Sequence, residues 1–167
     1  MPNVPKNIEE MIIIRFWLEQ LFKCAVREGR FREIVFNPKL LNLLFDDDKT
    51  IPSQFNFKEL HVGFTNNLFN NSLNFTLNHL TNSTNLYLYF NYVNNLEEYI
   101  NILFNILINE GNKFPKVTFH SCGLTRLFVL IIEYIATSKD CSKMVPVIYF
   151  DYIDYSNFEL KKLAKNV

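Results

Sequence analysis

The stretch FPKVTFHSCGLTRLFVLIIEYIATSKDCSKMVPVIYF, residues 114–150, decides the fold class because two β-like runs enclose one helical run. The runs VTF and VIYF are rich in β-branched and aromatic residues, which favour strands. Between them, apolar residues recur at helical spacing, at Leu124, Leu127, Phe128 and Ile131. The stretch therefore predicts a strand–helix–strand unit of a parallel sheet.

The same alternation recurs along the chain. Six candidate strands lie near residues 11–16, 33–36, 59–64, 86–90, 116–119 and 146–150, with centres 22 to 30 residues apart. Helical patterns separate them, and one strand plus one helix every ~20–29 residues is typical of leucine-rich repeats. We expect an α/β fold, a leucine-rich-repeat-like solenoid of about five to six strand–helix repeats with a parallel sheet, as a single repeat domain over residues 1–167.

The repeat motif L-x-L-x-x-N/C supports this interpretation. It fits fully at Leu86, Leu88 and Asn91, in its cysteine form at Val117, Phe119 and Cys122, and with threonine substituted at Leu60, Val62 and Thr65. Strand alternation then points Thr118 and His120 outward and places Cys122 at the buried turn position. The HSC tripeptide at 120–122 is therefore interpreted as a turn.

Composition and charge exclude several function classes. Seventeen basic and seventeen acidic residues leave no net charge and no basic stripe, so no nucleic-acid partner is expected. Cys24, Cys122 and Cys141 lack the spacing of a disulfide framework, which fits a reducing compartment. The sequence shows neither a signal peptide nor an apolar span of bilayer length, so we expect no membrane partner and a cytoplasmic or nuclear location.

The sequence contains no catalytic or metal-binding motif. His120 and Cys122 have the spacing of a base and a nucleophile, but no orienting carboxylate motif or nucleophile elbow accompanies them. No zinc-ligand spacing is present, and the 4 glycines argue against a phosphate-binding loop. We expect a non-enzymatic protein without catalytic residues, metal ligands or cofactors, and a small cysteine hydrolase is the remote alternative.

The outward residues of the strands form the predicted binding site. In a parallel solenoid these residues make a continuous face, and such faces bind partners. The face would contain His61, Tyr87, Tyr89, Thr118 and His120. Tyrosine supplies rigid contact area with a polar tip, which suits recognition of a protein target.

Four extended phrases carry a family resemblance, namely PKNIEEMIIIRFWLEQLFKCA, IVFNPKLLNLLFDDDKTIP, NILFNILINEGNKFPKV and LIIEYIATSKDCSKMVPVI. Over nearly its whole length the chain resembles the variable repeat region of F-box proteins from plant-parasitic root-knot nematodes. In that family an N-terminal F-box is similar to those that dock on a Skp1-type adaptor, and the following region is thought to select the target for ubiquitination. The resemblance implies the target-recognition region of an F-box-type ubiquitin ligase receptor.

The N-terminus determines two further expectations. The sequence begins directly at the repeat, so we expect no F-box before Ile8, which leaves docking on the Skp1-type adaptor in doubt. A standalone intracellular interaction or effector protein, outside ubiquitination, is the alternative function. The first predicted strand is apolar on both faces, which predicts self-association through this N-terminal edge strand, at Ile12, Ile13, Ile14, Phe16 and Trp17.

Overall fold

A computed structural model describes residues 5–32, 38–45, 54–121 and 123–153. Within these ranges five strands form one parallel sheet in chain order, β1 (Ala25–Phe31), β2 (Phe55–Thr65), β3 (Leu80–Tyr92), β4 (Lys116–His120) and β5 (Val147–Phe150). A helix precedes each strand, α1 (Ile8–Phe22), α2 (Pro38–Phe45), α3 (Phe69–His79), α4 (Ile100–Asn109) and α5 (Thr125–Thr137). The predicted α/β class with a parallel sheet is confirmed.

The register of the sheet shows how regular the strand–helix units are. One row of paired positions crosses all five strands at Arg30, His61, Tyr87, Thr118 and Tyr149. Successive members of this row are 31, 26, 31 and 31 residues apart. The predicted strands near 59–64, 86–90, 116–119 and 146–150 are therefore confirmed as β2 to β5.

The predicted strand at 11–16 is wrong, because these residues lie inside α1. The side chain of Asn7 caps the helix by accepting a hydrogen bond from the backbone N–H of Glu10 at 2.8 Å. The carboxylates of Glu9 and Glu10 in the first turn interact favourably with the positive end of the helix dipole. Leu18 and Phe22, one turn apart, are buried. The apolar run IIIRFW therefore supplies an exposed helix face, at Ile12, Ile13, Phe16 and Trp17. The edge strand through which self-association was predicted does not form at these residues, because they are helical.

The edge strand at this end of the sheet is β1, which the sequence pattern did not indicate. Its sequence AVREGRF carries three charged residues and a glycine, which are typical of edge strands that avoid pairing with another chain. A Cβ atom at Gly29 would overlap the ring of Phe57, so the glycine allows this close approach. The predicted strand at 33–36, with Val35 at its centre, lies outside the described residues.

The helices cover one face of the sheet. Leu73 of α3 and Leu107 of α4 line the same small void, about 20 Å³, as Leu86 of β3 and Val117 of β4. All four side chains are buried. The inward residues of the strands therefore meet the described helices.

A ladder of phenylalanine rings runs through this interior across four strands. The ring centroids lie 4.9 Å apart for Phe64 and Phe90, 6.2 Å for Phe90 and Phe119, and 5.0 Å for Phe119 and Phe150. The rings in each pair are within about 20° of parallel. Phe119 and Phe150 are paired in the register, whereas Phe119 pairs with Leu88 and its ring packs against Phe90, two residues further along β3. The ladder therefore packs neighbouring strands together in the interior.

Candidate binding face

The structure brings together four of the five residues predicted for the outward face. His61 on β2, Tyr87 and Tyr89 on β3, and His120 on β4 lie on the face of the sheet opposite to the described helices. All four are half-buried, whereas their strand neighbours Leu86, Leu88 and Phe90 are buried. We refer to these four side chains, His61, Tyr87, Tyr89 and His120, as the ring platform.

The four rings of the platform stack across three strands. The centroids of His61 and Tyr87 are 4.3 Å apart with the rings 5° from parallel, and Tyr89 and His120 are 4.6 Å apart at the same angle. Two longer contacts, of 5.9 Å between His61 and Tyr89 and 5.6 Å between Tyr87 and His120, close the set. The platform is thus a packed surface, whose rings restrict one another's rotamers.

Thr118 lies on the predicted face but is not available as a contact residue. Its side chain is only 3% exposed. It occupies the row position between Tyr87 and Tyr149, whose larger side chains stand on either side. Its hydroxyl donates a hydrogen bond to Oδ1 of Asn85 at 3.0 Å. Thr118 is therefore too buried in this structure for its side chain to reach a partner directly.

His61 is held by two hydrogen-bonding neighbours. Its Nδ1 lies 2.9 Å from the hydroxyl oxygen of Tyr89, and its Nε2 lies 3.3 Å from Oε1 of Glu28. Since a carboxylate only accepts, the neutral ring places its proton on Nε2 and accepts the tyrosine O–H at Nδ1. Burial lowers the pKa of His61, and the nearby charge of Glu28 opposes this effect.

Charged side chains on β1 and directly after it flank the platform. Nε of Arg30 donates to Oε1 of Glu28 at 2.5 Å, and this bond lowers the pKa of the Glu28 carboxyl. Burial raises the pKa of Tyr89, which the positive charge of Arg32 partly opposes. The guanidinium carbon of Arg32 lies 5.9 Å from the centroid of the Tyr89 ring. Tyr89 therefore stays a neutral phenol at neutral pH, with a cation beside its ring.

His120 has a carboxylate partner that the sequence reasoning missed. Its Nδ1 forms an ion-pair contact with Oδ2 of Asp151, the residue directly after β5. Phe119 pairs with Phe150 in the register, so His120 and Asp151 follow at equivalent positions of neighbouring strands. Aligning the two predicted strands would have found this pair. Within the described part of the chain, Nε2 of His120 is buried and has no hydrogen-bond partner.

A cleft of about 420 Å³ opens beside the platform, at the carboxyl ends of the first three strands. We call it the Arg32 cleft, and its lining includes Arg32, Gly63, Thr65, Tyr89, Asn91 and Tyr92. Asn91, predicted at the turn position of the repeat motif, lies within β3 and is exposed. The β2–β3 register shifts between Gly63 and Thr65, where β3 holds one residue more than β2. Asn91 continues the outward alternation of Tyr87 and Tyr89.

A reactive thiol and a metal site were the other chemical features considered from the sequence. Cys122 lies outside the described residues. In the ranges that the structure describes, no group of three or more His, Cys, Asp or Glu side chains is placed to hold a metal ion. No helix in those ranges is both long and apolar enough to cross a bilayer.

The sequence matches one family model over residues 1–91, described as Domain of unknown function (DUF8381). The chain belongs to this family. The matched segment of this DUF8381 member includes β1, β2 and most of β3, and therefore contains His61, Tyr87, Tyr89 and the Arg32 cleft up to Asn91. His120 and Asp151 lie beyond it. No curated protein and no solved structure matches the chain.

Proposed function

We propose that this DUF8381 protein is a non-enzymatic interaction module that binds another protein on the ring platform. The observation that carries the proposal is the stacked set of four rings, held on the sheet face that no described helix covers. Rigid aromatic side chains lose little conformational entropy on binding, and buried tyrosine anchors dominate many protein interfaces.

The polar atoms of the platform support recognition of a protein. Its rings carry phenol and imidazole groups, and it is bordered by Glu28, Arg30 and Arg32. An apolar centre with a charged rim is the usual arrangement of a protein interface. The platform spans three adjacent strands ~4.8 Å apart, a width that fits an extended peptide or a loop.

The repeating units favour a solenoid as the architecture behind this face. Equivalent residues recur about every 30 residues in the outward row, and the phenylalanine ladder repeats with the same strands. Three of the four spacings, at 31 residues, are slightly longer than the ~20–29 residues typical of leucine-rich repeats, and the fourth, at 26, lies within that range. We propose a leucine-rich-repeat-like solenoid in which the outward face of the sheet, with the ring platform, is the binding face.

The resemblance to nematode F-box proteins gives this module its proposed setting. In this setting the platform selects the target of an F-box-type ubiquitin ligase receptor, and a Skp1-type adaptor is recruited by an F-box. The alternative is a standalone interaction or effector protein that binds its target without ubiquitin machinery. Both functions use the same face, so they differ only in whether the adaptor is present in the complex.

The test compares the proteins that co-purify with the wild-type chain and with Tyr87→Ala from the source organism. The proposal expects a partner that is retained by the wild type and lost from the folded variant. A Skp1-type adaptor in the wild-type complex supports the F-box setting, whereas a partner without it supports the standalone alternative. Equal recovery of every partner by both proteins would contradict binding on the platform.

The Asp151–His120 pair is the observation that favours the remote alternative, a cysteine hydrolase. A carboxylate that orients an imidazole is part of many nucleophilic sites. The Nε2 atom of His120, which would accept the proton, is buried. An electrophilic thiol probe distinguishes the two functions, because the hydrolase requires rapid labelling of Cys122 that is lost in His120→Gln.

A further inference from the structure

A glycine of β2, Gly63, lines the Arg32 cleft at an outward position of the strand. Gly63 pairs with Tyr89, and the row continues to His120, so the neighbouring outward positions on β3 and β4 carry rings. A Cβ atom at Gly63 would lie 3.6 Å from both Cα and Cγ of Arg32, in ordinary van der Waals contact. An alanine would therefore fit, and a larger side chain would extend from the floor into the space of the cleft.

Arg32 provides the charge of the cleft. Among the described residues no carboxylate pairs with it, and its one described side-chain interaction is with the face of the Tyr89 ring. Arg30, two residues earlier, is by contrast bound to Glu28. A guanidinium presents several N–H donors in a planar fork that matches a carboxylate. The cleft thus offers one positive charge without an acidic partner among the described side chains.

The remaining polar groups of the cleft are neutral. Thr65 and Asn91 contribute a hydroxyl and an amide to the lining, and Asn91 lies on the same face of β3 as Tyr89. Tyr92 is 68% exposed and forms an aromatic wall. A single cation beside neutral donors complements a single negative charge, whereas a phosphate group carries close to two charges at neutral pH.

We propose that the Arg32 cleft binds the side-chain carboxylate of an Asp or Glu in an extended segment of the partner protein. This inference rests on the proposed function, because the same segment continues onto the ring platform across Tyr89, which belongs to both. A volume of about 420 Å³ lies within the range of ligand sites and accommodates one or two side chains. The cleft sets specificity for an acidic residue, and the platform supplies the apolar anchor.

The experiment selects phage-displayed random dodecapeptides on the immobilised full chain and measures the dissociation constants of the enriched peptides. We expect an Asp or Glu in every strong binder, and a loss of roughly tenfold or more when it is replaced by Asn or Gln. Arg32→Gln should weaken these peptides by a similar factor. Gly63→Leu should do the same by filling the cleft without changing its charge.

Arg126→Gln is the matched control, because Arg126 is an exposed arginine of α5 that pairs with Glu97. The control should bind the peptides as the wild type does, and circular dichroism should show all variants folded. Peptides that need Tyr87 but bind equally well to Arg32→Gln would overturn the cleft inference and leave the proposed function intact. Failure to enrich any peptide that binds the sheet face would contradict both the cleft inference and the proposed function.

Discussion

Nδ1 of His61 lies 2.9 Å from the hydroxyl oxygen of Tyr89, although the two residues are separated by 28 positions in the sequence. The contact joins β2 to β3 on the outward face and is half-buried. It fixes the outer end of the Tyr89 side chain while His120 packs against its ring. The ring platform is therefore organised before any partner binds, which reduces the entropy lost on binding.

Tyr89→Phe removes this hydrogen bond and keeps the stacked ring. We expect the free energy of unfolding to fall by about 1 kcal/mol, because Nδ1 of His61 loses its partner in a half-buried position. Tyr87→Phe is the control, since within the described residues its hydroxyl has no hydrogen bond, and it should change stability by less than about 0.5 kcal/mol. Urea unfolding of both variants tests this; equal losses would show that the His61 contact adds nothing.

The lowered pKa of His61 predicts a pH dependence of stability. On acidification, His61 in the unfolded chain binds a proton near its ordinary pKa of 6.5, whereas His61 in the folded chain binds one only at a lower pH. The free energy of unfolding therefore falls as the pH drops below 6.5. The stabilising contribution is complete above pH 6.5 and is lost towards the lower folded pKa. The charges that act on His61 are those of Glu28, Arg30, Glu59 and His120.

His61→Gln removes this titration. The difference in unfolding free energy between wild type and variant should therefore shrink as the pH falls below 6.5, when measured by urea unfolding at a series of pH values. A difference that is constant with pH, or that grows on acidification, would mean that the folded protein does not favour neutral His61.

Helix α1 allows a matched test of its two faces. Leu18 is buried, and Leu18→Ala should lower the free energy of unfolding by about 2–5 kcal/mol. Ile12 is 62% exposed, so Ile12→Ala should change it by less than about 0.5 kcal/mol. Thermal and urea unfolding followed by circular dichroism measure both values. A large loss from Ile12→Ala would indicate that this face is packed, as the predicted strand requires.

Local periodicity accounts for the parts of the fold that the sequence predicted correctly. In β3 the alternation of Leu86, Leu88 and Phe90 with Tyr87 and Tyr89 has the period of a strand with one buried face, and the structure follows it. The apolar residues Leu124, Leu127, Phe128 and Ile131 have helical spacing, and the structure forms helix α5 there. Such patterns depend on neighbours within one element, which the sequence displays directly.

One failure concerns a local signal, because the apolar run MIIIRFW fits a strand or a helix and the nearby Asn7 cap favours the helix. The other failures concern information that is not local. The burial of Thr118 depends on which residues stand beside it on other strands. The pairing of His120 with Asp151 and the cleft above Gly63 also arise from register, which loop lengths and the β3 bulge determine.

The central claim is tested most directly by the dissociation constant of the purified partner, measured by calorimetry for wild type, Tyr87→Ala and Trp17→Ala. Trp17 is an exposed aromatic residue on α1 and serves as the control for loss of a ring outside the platform. We predict that Tyr87→Ala keeps its cooperative unfolding but binds at least about thirtyfold more weakly, near 2 kcal/mol, while Trp17→Ala binds as the wild type does. An unchanged dissociation constant for a folded Tyr87→Ala protein would contradict the claim that the ring platform is the binding site.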